Sequence, residues 1–305
     1  MPTTKNSVAL KFDGFHNLEI IRGKPMKVVI ITGASTGIGF AACHRLHEKG
    51  YQILACVRTL TEDLKIQLPE NTWFARLDVT KPDHLKQVLT DYSDRLAKAT
   101  EVHLINNAGM ALPGPLEALP VTEIKKLFDV NVFGLLDVSQ TFLPYIRQTR
   151  GRIVNIGSIS GIHSSPFLGA YCASKYAVEA ISDAQRRELE QFGVQVICIE
   201  PGSIDTPIWD KSLQRKDEIF QRLLPDRLPI YQKALNHFTV MVEKIAKDAL
   251  PPSRVSDAIE KAIMSQNPPT RIMVVNAATR IQMLMFQYLP DKFMDKLVRK
   301  VLFRR

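Results

Sequence analysis

The chain has 305 residues, 45% of them apolar, and a formal net charge of +9. That length allows one large α/β domain or two small ones, and no linker rich in Pro, Ser or Gly divides it. No apolar run approaches the ~20 residues needed to cross a bilayer, and the basic surplus is not gathered into a nucleic-acid-binding block.

In chain order, residues 1–25 form a leader without the hydrophobic stretch of a secretory signal. The expected location is the cytoplasm, with peripheral membrane contact the alternative. Two short alternating stretches around residues 13–17 fit a hairpin. Residues 27–31 read as a buried strand, which runs into the turn Thr32-Gly33-Ala34-Ser35-Thr36-Gly37-Ile38-Gly39 and then a helix. Gly33, Gly37 and Gly39 can take conformations that a Cβ penalises, and they let the main chain approach a ligand. The helix aims free N–H groups and the positive end of its dipole at the turn, which suits a phosphate. Strand, turn and helix together suggest a dinucleotide site, although the spacing is G-x-x-x-G-x-G and a purely steric turn is the alternative.

The second strand, 52–57, ends in Val57-Arg58-Thr59, with no carboxylate before Glu62. Further strands are expected at 102–106, 152–156, 194–199 and 271–275, alternating with helical stretches. Near-continuous runs of Val, Ile and Leu are what strands buried on both faces need, so the fold class is α/β: a single Rossmann-type, doubly wound parallel sheet with helices on both faces. A helix is expected from Tyr171 to about Gln191. Tyr171 and Lys175 share one face of it, and Ser158 stands thirteen positions before Tyr171, just past a strand.

Beyond Thr206, residues 207–250 read as an insertion of one or two helices with Ile208, Trp209, Leu213, Phe220, Leu223, Leu224, Tyr231, Phe238 and Met241 as its apolar side chains. Residues 276–305 form an extension in which Phe293, Met294, Leu297, Val298, Val301 and Leu302 recur at helical spacing opposite Lys292, Lys296, Arg299 and Lys300. Three readings stand for it: a helix on an anionic membrane surface, a cover over a pocket, or a contact in a homo-oligomer. Cys43, Cys56, Cys172 and Cys198 form no C-x-x-C pair and read as reduced core thiols. The seven His show no ligand spacing, so no metal is expected.

The glycine turn, Asn106-Asn107-Ala108-Gly109, Asn131, Ser158, Tyr171-x-x-x-Lys175 and Pro201-Gly202 together resemble the short-chain dehydrogenase/reductase family, over roughly residues 26–208. The substrate region more loosely resembles the branch of 17β-hydroxysteroid and retinol dehydrogenases. The resemblance implies a dinucleotide-binding catalytic domain over 26–275, with 207–250 as its substrate-binding insertion. It implies a catalytic tetrad: Tyr171 as general acid/base, Lys175 as its electrostatic partner and ribose anchor, Ser158 on the substrate oxygen, and Asn131 holding a relay water. Thr32, Gly33, Ser35, Thr36, Gly37, Ile38 and Gly39 would surround the pyrophosphate. Asp78 and Val79 with Asn107, Ala108 and Gly109 would line the adenosine side, and Pro201, Gly202, Ile204 and Thr206 the nicotinamide. An NAD enzyme of this architecture usually carries an acid where Val57 stands. Arg58 instead suits a 2′-phosphate, so NADP is the expected cofactor, with NAD the alternative. The implied substrates are lipophilic secondary or allylic alcohols and the matching ketones or aldehydes.

Overall fold

The computed structural model describes residues 25–206 and 223–302. The expected hairpin at 13–17 and the side chains Ile208, Trp209, Leu213 and Phe220 lie outside them.

Seven parallel strands form one sheet: β1 (Lys27–Thr32), β2 (Gln52–Val57), β3 (Trp73–Arg76), β4 (Glu101–Asn106), β5 (Arg152–Ile156), β6 (Gln195–Pro201) and β7 (Arg271–Val274). Their order is β3-β2-β1-β4-β5-β6-β7. Connections run outward from β1 to one edge, then return and run outward from β4 to the other. The crevice outside the carboxyl ends of β1 and β4 is therefore the topological switch point where such sheets bind ligands. The expectation of six strands omitted β3, an edge strand whose four residues, Trp73-Phe74-Ala75-Arg76, include no Val, Ile or Leu.

Strand alternation sorts the core into two layers. Val29, Ile31, Ile53, Ala55, Ile197 and Ile199 face one side, packed under α1 (Gly37–Glu48) and α8 (Pro252–Met264). Val28, Ile30, Leu54, Leu104 and Ile153 face the other, under α3 (Pro82–Ala97) and α5 (Gly134–Gln148). Pairs from Arg45 to Asp257 and Glu260, and from Lys49 to Glu260 at 3.0 Å, tie α1 to α8. A short α2 (Glu62–Gln67) follows β2, and α4 (Val121–Phe128) continues through a π-helical turn (Asp129–Phe133) into α5.

The expected helix after Ser158 is α6 (Gly169–Leu189), two residues earlier at each end than anticipated and finished by a 3₁₀ turn, Glu190–Phe192. The insertion contributes α7 (Leu228–Lys247). Leu223 and Phe238 are buried in one cluster with Tyr171, and Tyr231 and Met241 pack against it. The extension holds two helices, α9 (Ala277–Tyr288) and α10 (Asp291–Leu302), which touch each other, and α10 also rests on α7. Met294 of α10 is buried while neighbouring Phe293 stays half exposed.

Candidate active site

The turn after β1 is built for close approach. Gly33 and Gly37 have φ of +65° and +57°, and a Cβ on Gly39 would lie 2.4 Å from the Gly33 carbonyl oxygen. Thr36 caps α1 without a side-chain hydrogen bond, and no acid sits in the first turn. Thr36 is exposed, while Ser35 and Ile38 are half-buried beside it. Helix N–H groups therefore face the crevice free of a side-chain cap or a competing carboxylate, which fits the pyrophosphate of a dinucleotide.

A second turn clamps the first. The Thr32 hydroxyl accepts from the N–H groups of Asn107 and Ala108, each at 3.0 Å. The Asn107 amide donates to the carbonyls of Thr32 and Gly33 at 3.0 and 3.1 Å. Asn107 thus fixes the shape of the glycine turn, with Gly109 exposed just beyond.

Beside this crevice, Val57 is buried and Arg58 exposed at the end of β2. The Asp78 carboxylate accepts from the Thr80 N–H and hydroxyl at 3.0 and 2.8 Å. Burial opposes its charge, but these two bonds, with Arg58 and His84 nearby, hold it below the ordinary carboxylate value. Val79 is buried against Gly134, where an added Cβ would lie 2.6 Å from it. No carboxylate occupies the end of β2 itself, so a 2′-phosphate would meet a cation there rather than an acid.

At the end of β5, two of three consecutive residues hold site side chains. The Ile156 carbonyl accepts from Lys175 Nζ at 2.8 Å. Gly157 is bare, and Ser158 hydrogen-bonds the Tyr171 phenol. Ser158 also accepts from the Ser160 N–H at 3.1 Å, capping a 3₁₀ turn, Ile159–Gly161, so its capping and site roles coexist. Tyr171, Lys175 and Ser158 are all buried.

Burial pushes Tyr171 up to about 12, against the Ser158 hydrogen bond, and pulls Lys175 down to about 8 against the field of Cys198 and Glu179. Burial of the phenolate is the largest influence on Tyr171. Asn131 sits in the π-helical turn, with both amide protons engaged at 3.0 Å, by the Met110 carbonyl and the Ser174 hydroxyl. Its oxygen accepts from the Met110 N–H at 2.9 Å. The side chain ties the loop after β4 to α6.

The loop after β6 closes the far side. Ser158 reaches the Pro201 carbonyl at 3.5 Å, and a Cβ on Gly202 would lie 2.9 Å from Val275. Ile204 is buried, bridged to Leu250, and its carbonyl accepts from Thr206 at 3.4 Å. The structure thus brings Thr32, Gly33, Asn107 and Ala108 into one corner, and Ser158, Tyr171, Lys175 and Pro201 into the next.

Leu112 and Phe167, which the motif reading missed, join the expected insertion residues Leu223 and Phe238 in one apolar cluster, all buried with Tyr171. Phe167 holds φ at +64°, an uncommon backbone state for an aromatic residue. Its carbonyl accepts from the Gly114 N–H at 2.7 Å. On the other flank, Phe286 of α9 stacks on His163 with ring centroids 3.4 Å apart, so the extension covers the loop between Ser158 and Tyr171. Among the described residues no cluster of metal-ligating side chains occurs, and all four cysteines are buried and free.

Comparison with known proteins gives concordant matches. The family model described as short chain dehydrogenase matches residues 27–217. Retinol dehydrogenase 16 of Homo sapiens is 33% identical over 279 residues, covering 89% of this chain and 87% of its own. The NADPH-dependent 3-dehydrocapnine reductase of Ornithobacterium rhinotracheale is 31% identical over 283 residues, covering 90% of this chain and 97% of its own. The crystal structure of a short-chain dehydrogenase from Streptomyces avermitilis has the same fold, with a TM-score of 0.68 at 24% identity over 90% of this chain and 96% of that one.

Proposed function

The chain belongs to the short-chain dehydrogenase family of oxidoreductases, and from that premise we propose that it is an NADP(H)-dependent oxidoreductase for lipophilic alcohols and carbonyl compounds. The observation that carries this reading is the buried group Ser158, Tyr171 and Lys175 beside a wall of Leu112, Phe167, Leu223 and Phe238.

When bound, the nicotinamide supplies or receives the hydride. Everything else falls to the chain. Tyr171, kept protonated well above neutral pH, is poised to donate to a carbonyl oxygen, which suits the reductive direction. The Ser158 hydroxyl, already bonded to the phenol, is placed to donate to the same oxygen as charge develops on it. Lys175, anchored on Ile156, holds positive charge one helical turn away. Asn131 keeps the loop after β4 against α6. Tyr171 and Lys175 also line the face where a ribose would lie.

NADP rather than NAD is supported by exposed Arg58, by the missing carboxylate after β2, and by the NADPH-dependent relative. A steroid-, retinoid- or lipid-like substrate is supported by the apolar wall and the retinol dehydrogenase relative. A nucleotide-binding protein without turnover is the rival reading, and the complete side-chain set speaks against it. Contact with an anionic membrane is a further part of the reading. Exposed Ile281, Leu284, Tyr288 and Phe293 on α9 and α10 support it, together with Lys292 and Lys296.

The test is a fluorescence titration with NADPH and NADH at fixed salt, followed by retinoid and steroid carbonyl reduction by wild type and Tyr171→Phe. Tighter NADPH binding, with turnover lost in the variant and binding kept, is the expected result. Retained turnover in Tyr171→Phe would overturn the mechanism.

A further inference from the structure

Behind Lys175, away from the crevice, lies a set of acids that the reaction does not use. Glu179 follows Lys175 by one helical turn on the same face of α6 and is buried. Two glycines make room for it. A Cβ on Gly157 would lie 2.6 Å from Glu179 Oε1, and one on Gly161 would lie 3.0 Å from Glu179 Cγ. Gly157 stands between Ile156, which anchors Lys175, and Ser158, so Glu179 reaches the underside of the same three-residue segment.

Glu200, 3% exposed, projects from β6 on the face that also carries Cys198. The Cys198 thiol donates to Glu179 Oε1 at 3.0 Å. From the neighbouring edge strand β7, Arg271 Nε meets Glu179 Oε2 at 3.1 Å and Glu200 Oε1 at 3.4 Å, and Nη2 meets Asp183 at 2.9 Å. The contact with Glu200 lacks hydrogen-bond alignment and leaves that buried oxygen unsatisfied. One guanidinium thus faces three carboxylates, and Asp183 has Arg186 and Arg187 besides.

We propose that Glu179 and Glu200, clamped by Arg271, are positioning residues of the candidate site, a carboxyl pair that lies behind Lys175 and keeps its ammonium charged in a dry pocket. The proposal rests on the reading of Tyr171 and Lys175 as the acid/base pair. A buried lysine loses its proton readily, and at neutral pH the amine would give Tyr171 no positive neighbour. The groups facing the pair are Lys175, Asp183 and Cys198 on one side and Arg271 on the other. Burial and the nearby Glu179 push Glu200 up to about 7, against Arg271. Glu200 therefore gains its negative charge around neutrality, which strengthens the pair's hold on Lys175 as the pH rises.

The experiment is an NMR titration of the full-length, cofactor-free protein labelled with [ε-¹³C]lysine, the Lys175 signal being identified by its loss in Lys175→Arg. In Glu179→Gln the Lys175 midpoint is expected to fall by roughly one pH unit. In Glu200→Gln it falls by less, in the same direction. With NADPH and a carbonyl substrate, the alkaline limb of the kcat profile moves with the midpoint while the KM for cofactor stays near wild type. Glu179→Asp restores most of the shift. An unmoved Lys175 midpoint overturns the proposal even where turnover has dropped, because a merely structural acid would lower activity without moving the titration. A midpoint that moves in a protein without turnover supports the pair and counts against the oxidoreductase reading alone. Should Glu179→Gln not fold, the shift in Glu200→Gln decides.

Discussion

At the scale of single residues, Arg58 and Gly39 make opposite demands on the cofactor. Arg58 is exposed and makes no hydrogen bond or ion pair among the described residues beyond its weak field on Asp78, so Arg58→Ala is expected to leave the melting temperature nearly unchanged and weaken NADPH about tenfold or more, with little effect on NADH. Parallel titrations with both cofactors check this, and equal loss for both would mean that Arg58 reads no phosphate. Gly39 is the reverse case. Its added Cβ would lie 2.4 Å from the Gly33 carbonyl oxygen and 2.6 Å from the Asn107 amide nitrogen, so Gly39→Ala must reshape the turn that Asn107 clamps. The expected cost is about 1–3 kcal/mol, with binding of both cofactors lost, measured by denaturant melts and the same titrations. Such residues were legible in the sequence because their chemistry depends on type and spacing. Phe167 was not, since an unusual φ leaves no trace in an ordinary aromatic residue. Nor was the engagement of Asn131, whose partners Met110 and Ser174 come from distant segments.

At the scale of elements, the strands that were legible are those with long runs of Val, Ile and Leu. Edge strand β3 escaped because it needs little burial and pairs only with β2. The start of α6 escaped by two residues because Gly169 is a poor helix former, and a Cβ there would lie 2.9 Å from the Leu116 side chain. Amphipathic spacing revealed α10, but no local pattern says that α9 lies over the loop before Tyr171. That contact makes a prediction. His163 is held down to about 4 by burial, under Phe286. In Phe286→Ala the imidazole gains water, so its titration midpoint is expected to rise towards the ordinary 6.5, read from the His163 ring signals by NMR. The KM for a bulky apolar substrate should rise severalfold in the same variant, as part of the cover is removed.

At the scale of the whole molecule, acid stability depends on the end of the sheet opposite the crevice. Glu101 is held at about 2, against an ordinary 4.5, by its hydrogen bond with His103 and, once a burial cost is met, by Lys27 at 2.7 Å. A depressed carboxylate contributes stability that is present in full above 4.5 and is lost as the pH falls from there towards 2. Glu101→Gln is therefore expected to be less stable than wild type at neutral pH, with the gap closing across that window. Urea melts between pH 7 and pH 2 measure it, and a constant gap would mean that the carboxylate charge contributes nothing. The parallel order of the sheet was legible from the alternation of strands and helices. The pairing of α1 with α8, more than 200 residues apart, was not, because complementary charges such as Arg45 and Glu260 carry no address.

That last pairing sets a timetable for the chain as it leaves the ribosome. Strands β1 to β6 and the helices α3, α5 and α6 can assemble as they emerge. The opposite face of the sheet, with Val29, Ile31, Ile197 and Ile199, still lacks the helix that supplies Val255, Ile259 and Ile263. Until residue 263 has emerged, a nearly finished sheet presents to solvent an apolar flank that α1 covers only in part, an adhesive surface that a chaperone or a neighbouring nascent chain can seize.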